Sequence, residues 1–159
     1  MHKKPAVPMD ENVLSAKAEL RAKVFRGDGA VEDLGIIATR VVTDAFVALI
    51  VDALMGTGSL TGFKYHQSGT GTTAESAADT DLELPVESRV AGTQAEYAPN
   101  VYETVATITY SAAYTITEHG VFNADTGGVL MDRSVFAGIS VAAGDSIEFT
   151  YRITFNSGG

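Results

Sequence analysis

The segment "GDSIEFTYRITF" alternates without a break: Ile147, Phe149, Tyr151, Ile153 and Phe155 on one side, Ser146, Glu148, Thr150, Arg152 and Thr154 on the other. A period of two fits a strand with one face in a core and excludes a helix, whose apolar residues recur every three or four positions. Gly144–Asp145 supplies the turn ahead of it. The same alternation runs through "VYETVATITY", with Val101, Glu103, Val105, Thr107 and Thr109 opposed to Tyr102, Thr104, Ala106, Ile108 and Tyr110. "YTITEHGVF" and "VLMDRSVF" read as further strands joined by the hairpin loop "NADTGG". Short strands at regular spacing predict an antiparallel β-sandwich or a jelly-roll-like barrel.

Upstream, "RAKVFRGDGAVEDLGIIATRVV" reads as a β-hairpin over residues 18–42, turning at Gly27 and Gly29. Val13 to Arg26 fits a helical face (Val13, Leu20, Val24) as well as strand alternation. "TDAFVALIVDALMG" is the one clear helix, residues 43–55, with Thr43 as N-cap, Asp44 in the first turn and Gly56 just past the end. Phe46, Leu49, Ile50 and Ala53 form one stripe, which Val47, Val51 and Leu54 widen. Such a helix is expected to be covered on most sides, by a sheet or between subunits. "MHKKPAVPMDEN", residues 1–12, reads as a flexible or extended arm because Pro5 and Pro8 oppose helix. The rest, 13–159, reads as a single β-rich domain with its main sheets over 62–155.

Composition removes several chemistries. The chain has no cysteine, so disulfides, thiolate catalysis and cysteine-bound zinc are excluded. A net charge of −9 argues against nucleic acid. Residues 1–26 hold six bases against three acids (+3), and the remainder five against seventeen (−12), a basic head on an acidic body that suggests docking on an acidic neighbour. The most apolar window, Val41 to Met55, has 15 residues and contains Asp44 and Asp52, too short and too charged for a bilayer. No secretory leader is visible in "MHKKPAVP", so a soluble protein made in the cytoplasm is expected.

"FKYHQSGTGTTAES" invites a phosphate-binding reading, but it lacks the lysine of a P-loop, and Ala74 replaces the third glycine of a dinucleotide fingerprint. Gly69 and Gly71 read instead as a sharp turn, with Thr72 and Glu75 as a capping box on a short helical turn, "AESAAD". His2, His66 and His119 show no metal-ligand spacing, and His119 reads as a surface or sheet-edge residue pointing away from its neighbour Glu118. Asp79 and Asp81 resemble the start of a calcium loop that lacks its glycine and closing glutamate. The Arg26–Asp28 tripeptide of integrin ligands reads as a turn. No catalytic, cofactor-binding or metal-binding residue is therefore assigned, no cofactor is expected, and a structural or interaction protein is favoured over an enzyme.

The order of landmarks over residues 60–155 resembles small virion proteins of tailed bacteriophages. Phe63–Tyr65, Gly69–Thr73, Asp79–Leu82, Glu118–Phe122, Leu130–Phe136 and Gly144–Tyr151 carry the likeness. The resemblance implies a non-enzymatic virion component, most simply a capsid decoration (cement) protein. It would bind the major capsid protein on the outside of the head as a homotrimer assembled in the host cytoplasm. In that setting the Gly–Thr run would start a crossover between sheets. Two alternatives stay open: a tail- or fibre-associated structural protein, and a carbohydrate-binding β-sandwich using Tyr65, Tyr97, Tyr102, Tyr110 or Tyr114 as platforms.

Overall fold

The computed structural model describes residues 14–40 and 42–158, so the expected arm at 1–12 lies outside the described residues. The chain is a two-layered antiparallel β-sandwich. In order come β1 (Ser15–Phe25), β2 (Val31–Arg40), α1 (Asp44–Leu54), β3 (Tyr65–Gly69), β4 (Pro85–Ala91), β5 (Thr93–Ala98), β6 (Val101–Thr109), β7 (Tyr114–Phe122), β8 (Leu130–Val141) and β9 (Ser146–Asn156). One sheet has the order β2-β1-β9-β6-β5, the other β4-β3-β7-β8.

β9 is the centre of the larger sheet because both its faces suit that place. It pairs along its whole length with β1, from Ser15↔Asn156 to Phe25↔Ser146, and with β6 from Val101↔Thr154 to Thr109↔Ser146. Ile147, Phe149, Tyr151 and Ile153 are at most 1% exposed, while Glu148, Thr150 and Arg152 face outward. The pairing also resolves the ambiguity of β1: Ala18, Leu20, Ala22 and Val24 are buried and Lys17, Glu19, Arg21 and Lys23 alternate with them. Each Leu, Ile or Phe buried this way contributes roughly 1.5–3 kcal/mol, more than a strand-versus-helix propensity difference.

Three expectations are corrected. First, the basic head is not an arm. Lys17, Arg21 and Lys23 sit in β1, and Arg26 at its end bonds Glu32 and Asp145. Residues 1–12 keep Lys3 and Lys4 against Asp10 and Glu11, formally neutral without His2. Second, the Gly69–Thr73 run does not cross between sheets. It leaves β3 for a long loop that returns as β4, its neighbour in the same sheet. The next change of sheet comes at Gly92, between β4 and β5, where an added Cβ would sit 2.6 Å from the Val105 carbonyl oxygen. Third, Ala74–Asp79 forms no helical turn with a capped start. The Ser76 N–H donates to Asp79 Oδ2 at 2.9 Å and the Asp79 N–H to the Ser76 carbonyl at 3.0 Å, which closes a simple turn.

The helix forms where expected. Thr43 Oγ1 accepts from the Phe46 N–H at 3.2 Å and donates to the Leu130 carbonyl at 2.6 Å, so one hydroxyl caps α1 and ties it to β8. Gly56 takes φ +74° at the stop. Phe46 meets Phe63 edge-on at 5.1 Å, and Leu49 and Ile50 pack against the core beside it. The widening half of the stripe is not covered by the described residues: Val47 is 48% exposed, Val51 55% and Leu54 83%.

Candidate functional site

The Gly–Thr loop already holds an anion, and that anion is Glu118. From the outer face of β7, Glu118 Oε1 accepts the Gly71 N–H at 3.1 Å and the Leu84 N–H at 2.7 Å. Its Oε2 accepts the Glu83 N–H at 3.0 Å and Arg133 Nε at 2.8 Å. Three backbone donors and a guanidinium thus surround a fully buried carboxylate in the manner of a phosphate nest. Arg133 on β8 also reaches Asp79 Oδ2 at 3.1 Å and the Thr73 carbonyl at 3.0 Å. The glycines are needed for close approach rather than for positive φ. A Cβ on Gly69 would lie 2.4 Å from Glu118 Oε1, and one on Gly71 2.7 Å from the same atom. The cradle is a lock that holds the 70–84 loop over the second sheet. Thr73 and Arg133 hold the Glu83 carboxyl below its usual range, with the bond from Thr73 the larger cause.

Asp79 of the calcium-like stretch is drawn into that lock, and Asp81 accepts the N–H of Leu82. Among the described residues no group of three or more His, Cys, Asp or Glu is placed to hold a metal ion.

His119 is not at a surface or an edge. It is 1% exposed, on a central strand, and points inward while Glu118 points outward as alternation requires. Its Nε2 lies 2.9 Å from Nδ1 of His66 on β3, and His66 Nε2 lies 3.1 Å from Thr104 Oγ1 on β6. Phe149 stacks on His119 at 4.4 Å. Ring-to-ring bonding requires one donor and one acceptor nitrogen, so the two rings cannot both be protonated. Burial pushes His66 down to about 3 and His119 well below the usual imidazole range. Ser68 with Tyr110 (2.7 Å) and Asp132 with Ser134 and Tyr151 (3.1 and 3.3 Å) complete a polar seam between the sheets.

The Arg26–Gly27–Asp28 turn is bound down rather than presented. Arg26 donates to the Ser140 carbonyl at 2.6 Å and to Asp145 Oδ2 at 3.1 Å, and the Gly27 N–H donates to Asp145 Oδ1 at 2.9 Å. Of the tyrosines, Tyr110 is buried, Tyr102 donates to the Phe63 carbonyl, and Tyr97 carries the Arg152 guanidinium over its ring at 3.7 Å.

Exposed apolar side chains gather at the α1 end of the sandwich. Val47, Val51 and Leu54 follow an i, i+4, i+7 line on the outer face of α1, with Met55 and Leu60 exposed beyond them. Beneath α1 an apolar cleft of about 210 Å³ is lined by Phe46, Leu60, Phe63 and Met131.

The spacing of residues gave no sign of the Glu118–Arg133 lock or the histidine pair. One signal was present: "TEHGVF" and "MDRSVF" carry charges inside otherwise apolar strand runs, which requires partners when both faces are covered.

No family model, no curated protein and no solved structure matches the chain.

Proposed function

We propose that the chain is a non-enzymatic structural protein of a tailed-bacteriophage particle. In this reading it is a decoration protein that binds the major capsid protein on the outside of the head, as a homotrimer assembled in the host cytoplasm. The observation that carries the reading is the exposed apolar face of α1, Val47, Val51 and Leu54, beside the closely packed core of the sandwich. A rigid β body with one apolar contact face suits a protein whose task is to hold neighbours together. The reactive-looking groups point the same way. Glu118 and Arg133 hold the 70–84 loop, and His66 and His119 are sealed between the sheets. Binding only the assembled shell would stabilise it by mass action, and many copies would act together.

Co-sedimentation with undecorated heads, followed by heating, tests this. Saturable binding at a fixed copy number with raised heat resistance is expected, and Leu54→Lys should abolish it. Binding to tails alone would transfer the protein to the tail, and absence of binding to any particle would end the reading. Analytical ultracentrifugation should give a trimer; a stable monomer would remove that part.

A further inference from the structure

Two open sheets leave four edge strands, here β2 and β5 in one and β4 and β8 in the other, and a bare edge is a template for a further strand. Three of the four are blunted. β2 shifts register twice against β1 and takes φ 63° at Gly35. β4 opens on Pro85, shifts register against β3 and passes through φ 59° at Glu87. β8 lies against β2, and its Ser140 carbonyl accepts from Arg26 at 2.6 Å. Bulges, prolines and cover of this kind stop sheets from joining edge to edge. β5 is different. It stays in regular register with β6 from Thr93↔Val105 to Glu96↔Tyr102, and every residue from Thr93 to Tyr97 is exposed. No described strand pairs with its outer side, so alternate residues direct their N–H and C=O groups away from the ladder.

We propose that β5 pairs with β5 of a second copy, antiparallel about a two-fold axis at Ala95, and so joins two five-stranded sheets into one. An axis normal to the sheet keeps each side chain on its own face, so it must pass through a residue and not between two. Centred on Glu96, it would oppose two carboxylates. Centred on Gln94, it runs into Gly92, where the chain leaves the sheet. Centred on Ala95, it sets Ala95 against itself, Gln94 against the second copy's Glu96, and Thr93 beside the second copy's Tyr97. Gln94 donates one amide N–H to Tyr102 at 2.6 Å and keeps another for that carboxylate. Threonine beside an aromatic ring is a favourable cross-strand pair. β5 has six residues against the roughly 20–30 a side of a standard interface, so the pairing is transient and belongs to crowded copies. It rests neither on the particle reading nor on α1.

Amide exchange read by NMR on the full chain tests this, with Leu54→Lys in every sample to take the α1 face out of play. Raising the concentration from about 50 μM to about 2 mM should slow the outward amides of Thr93–Glu96 several-fold and leave those of β2 unchanged. Ala95→Lys and Ala95→Glu, at an exposed position, should each abolish that dependence by opposing like charges at the axis. Isotope-labelled Ala95→Lys mixed with unlabelled Ala95→Glu should restore it, because unlike charges then meet. With Ala95 in place, exchange at β5 that ignores concentration, whether fast or slow, would overturn the proposal. A mixture that behaves like either variant alone would overturn it too, since residue 95 would then not face itself.

Discussion

Two neighbouring regions of the molecule, the 70–84 loop and α1, treat burial in opposite ways. Under the 70–84 loop, charged groups are taken out of water and every one named there is answered: Glu118 by three N–H groups and Arg133, and Arg133 by Glu118, Asp79 and the Thr73 carbonyl. On α1, apolar groups are left exposed, with none of the described residues over them. The first arrangement is what stability demands, since an unpaired buried charge is costly. The second adds little to the stability of one chain. It teaches that the groups resembling a ligand site are already paired with one another, and that the plain-looking helix carries the apolar surface on which the proposed partner would sit.

Breaking the lock should have the largest effect. Arg133→Ala leaves Glu118 fully buried without its cation and should cost about 3–5 kcal/mol, read as a lowered midpoint in urea unfolding; a loss under 1 kcal/mol would mean that water reaches the site.

Acid should come next, through the histidine pair. Both folded values lie below the ordinary 6.5, so between pH 6.5 and about 3 the unfolded chain binds protons that folded His66 does not. Stability is therefore complete above pH 6.5 and declines as pH falls, by about 1.4 kcal/mol per pH unit for each histidine. At pH 5 this is about 2 kcal/mol for His66, with His119 acting in the same direction, and chemical denaturation across pH 5–7.5 should show it; a flat profile would contradict the neutral pair.

Gly71→Ala pushes a Cβ to 2.6 Å from Glu83 Cβ and 2.7 Å from Glu118 Oε1, and should cost about 1–3 kcal/mol. The thermal midpoint would report it, and no change would show that the loop gives way freely. The smallest effect sharpens the contrast. Leu54→Lys should stay within about 0.5 kcal/mol of the parent in urea, yet lose self-association in ultracentrifugation. A large loss of stability would mean that this face is buried within one chain after all.

The larger sheet was legible because its strands are buried on one face only. β6 and β9 show the alternation that reports this directly, and β1 shows it once helix is set aside. β7 and β8 were legible as strands but not in their contents. From Ile116 to Phe122 every residue of β7 is buried on one side or the other, so alternation carries no signal, and Glu118 and His119 look like exposed polar residues in the sequence. The helix stripe was read correctly for Phe46, Leu49 and Ile50. Its extent misled, because a wide apolar stripe states that cover is needed without saying who provides it.

The sequence by itself determined the strand periods, the hairpin turns, the Thr43 cap and the Gly56 stop, all set by interactions among residues within a few positions of one another. Tertiary structure alone decided that Gly69 and Gly71 make room for a carboxylate, 47 residues away in the case of Gly71. It also decided that His66 finds His119 at a separation of 53, and that the chain changes sheets at Gly92 but not at the Gly–Thr run. These outcomes depend on which strands become neighbours. Side-chain period fixes the face a residue presents, while the pairing of distant strands fixes what that face meets.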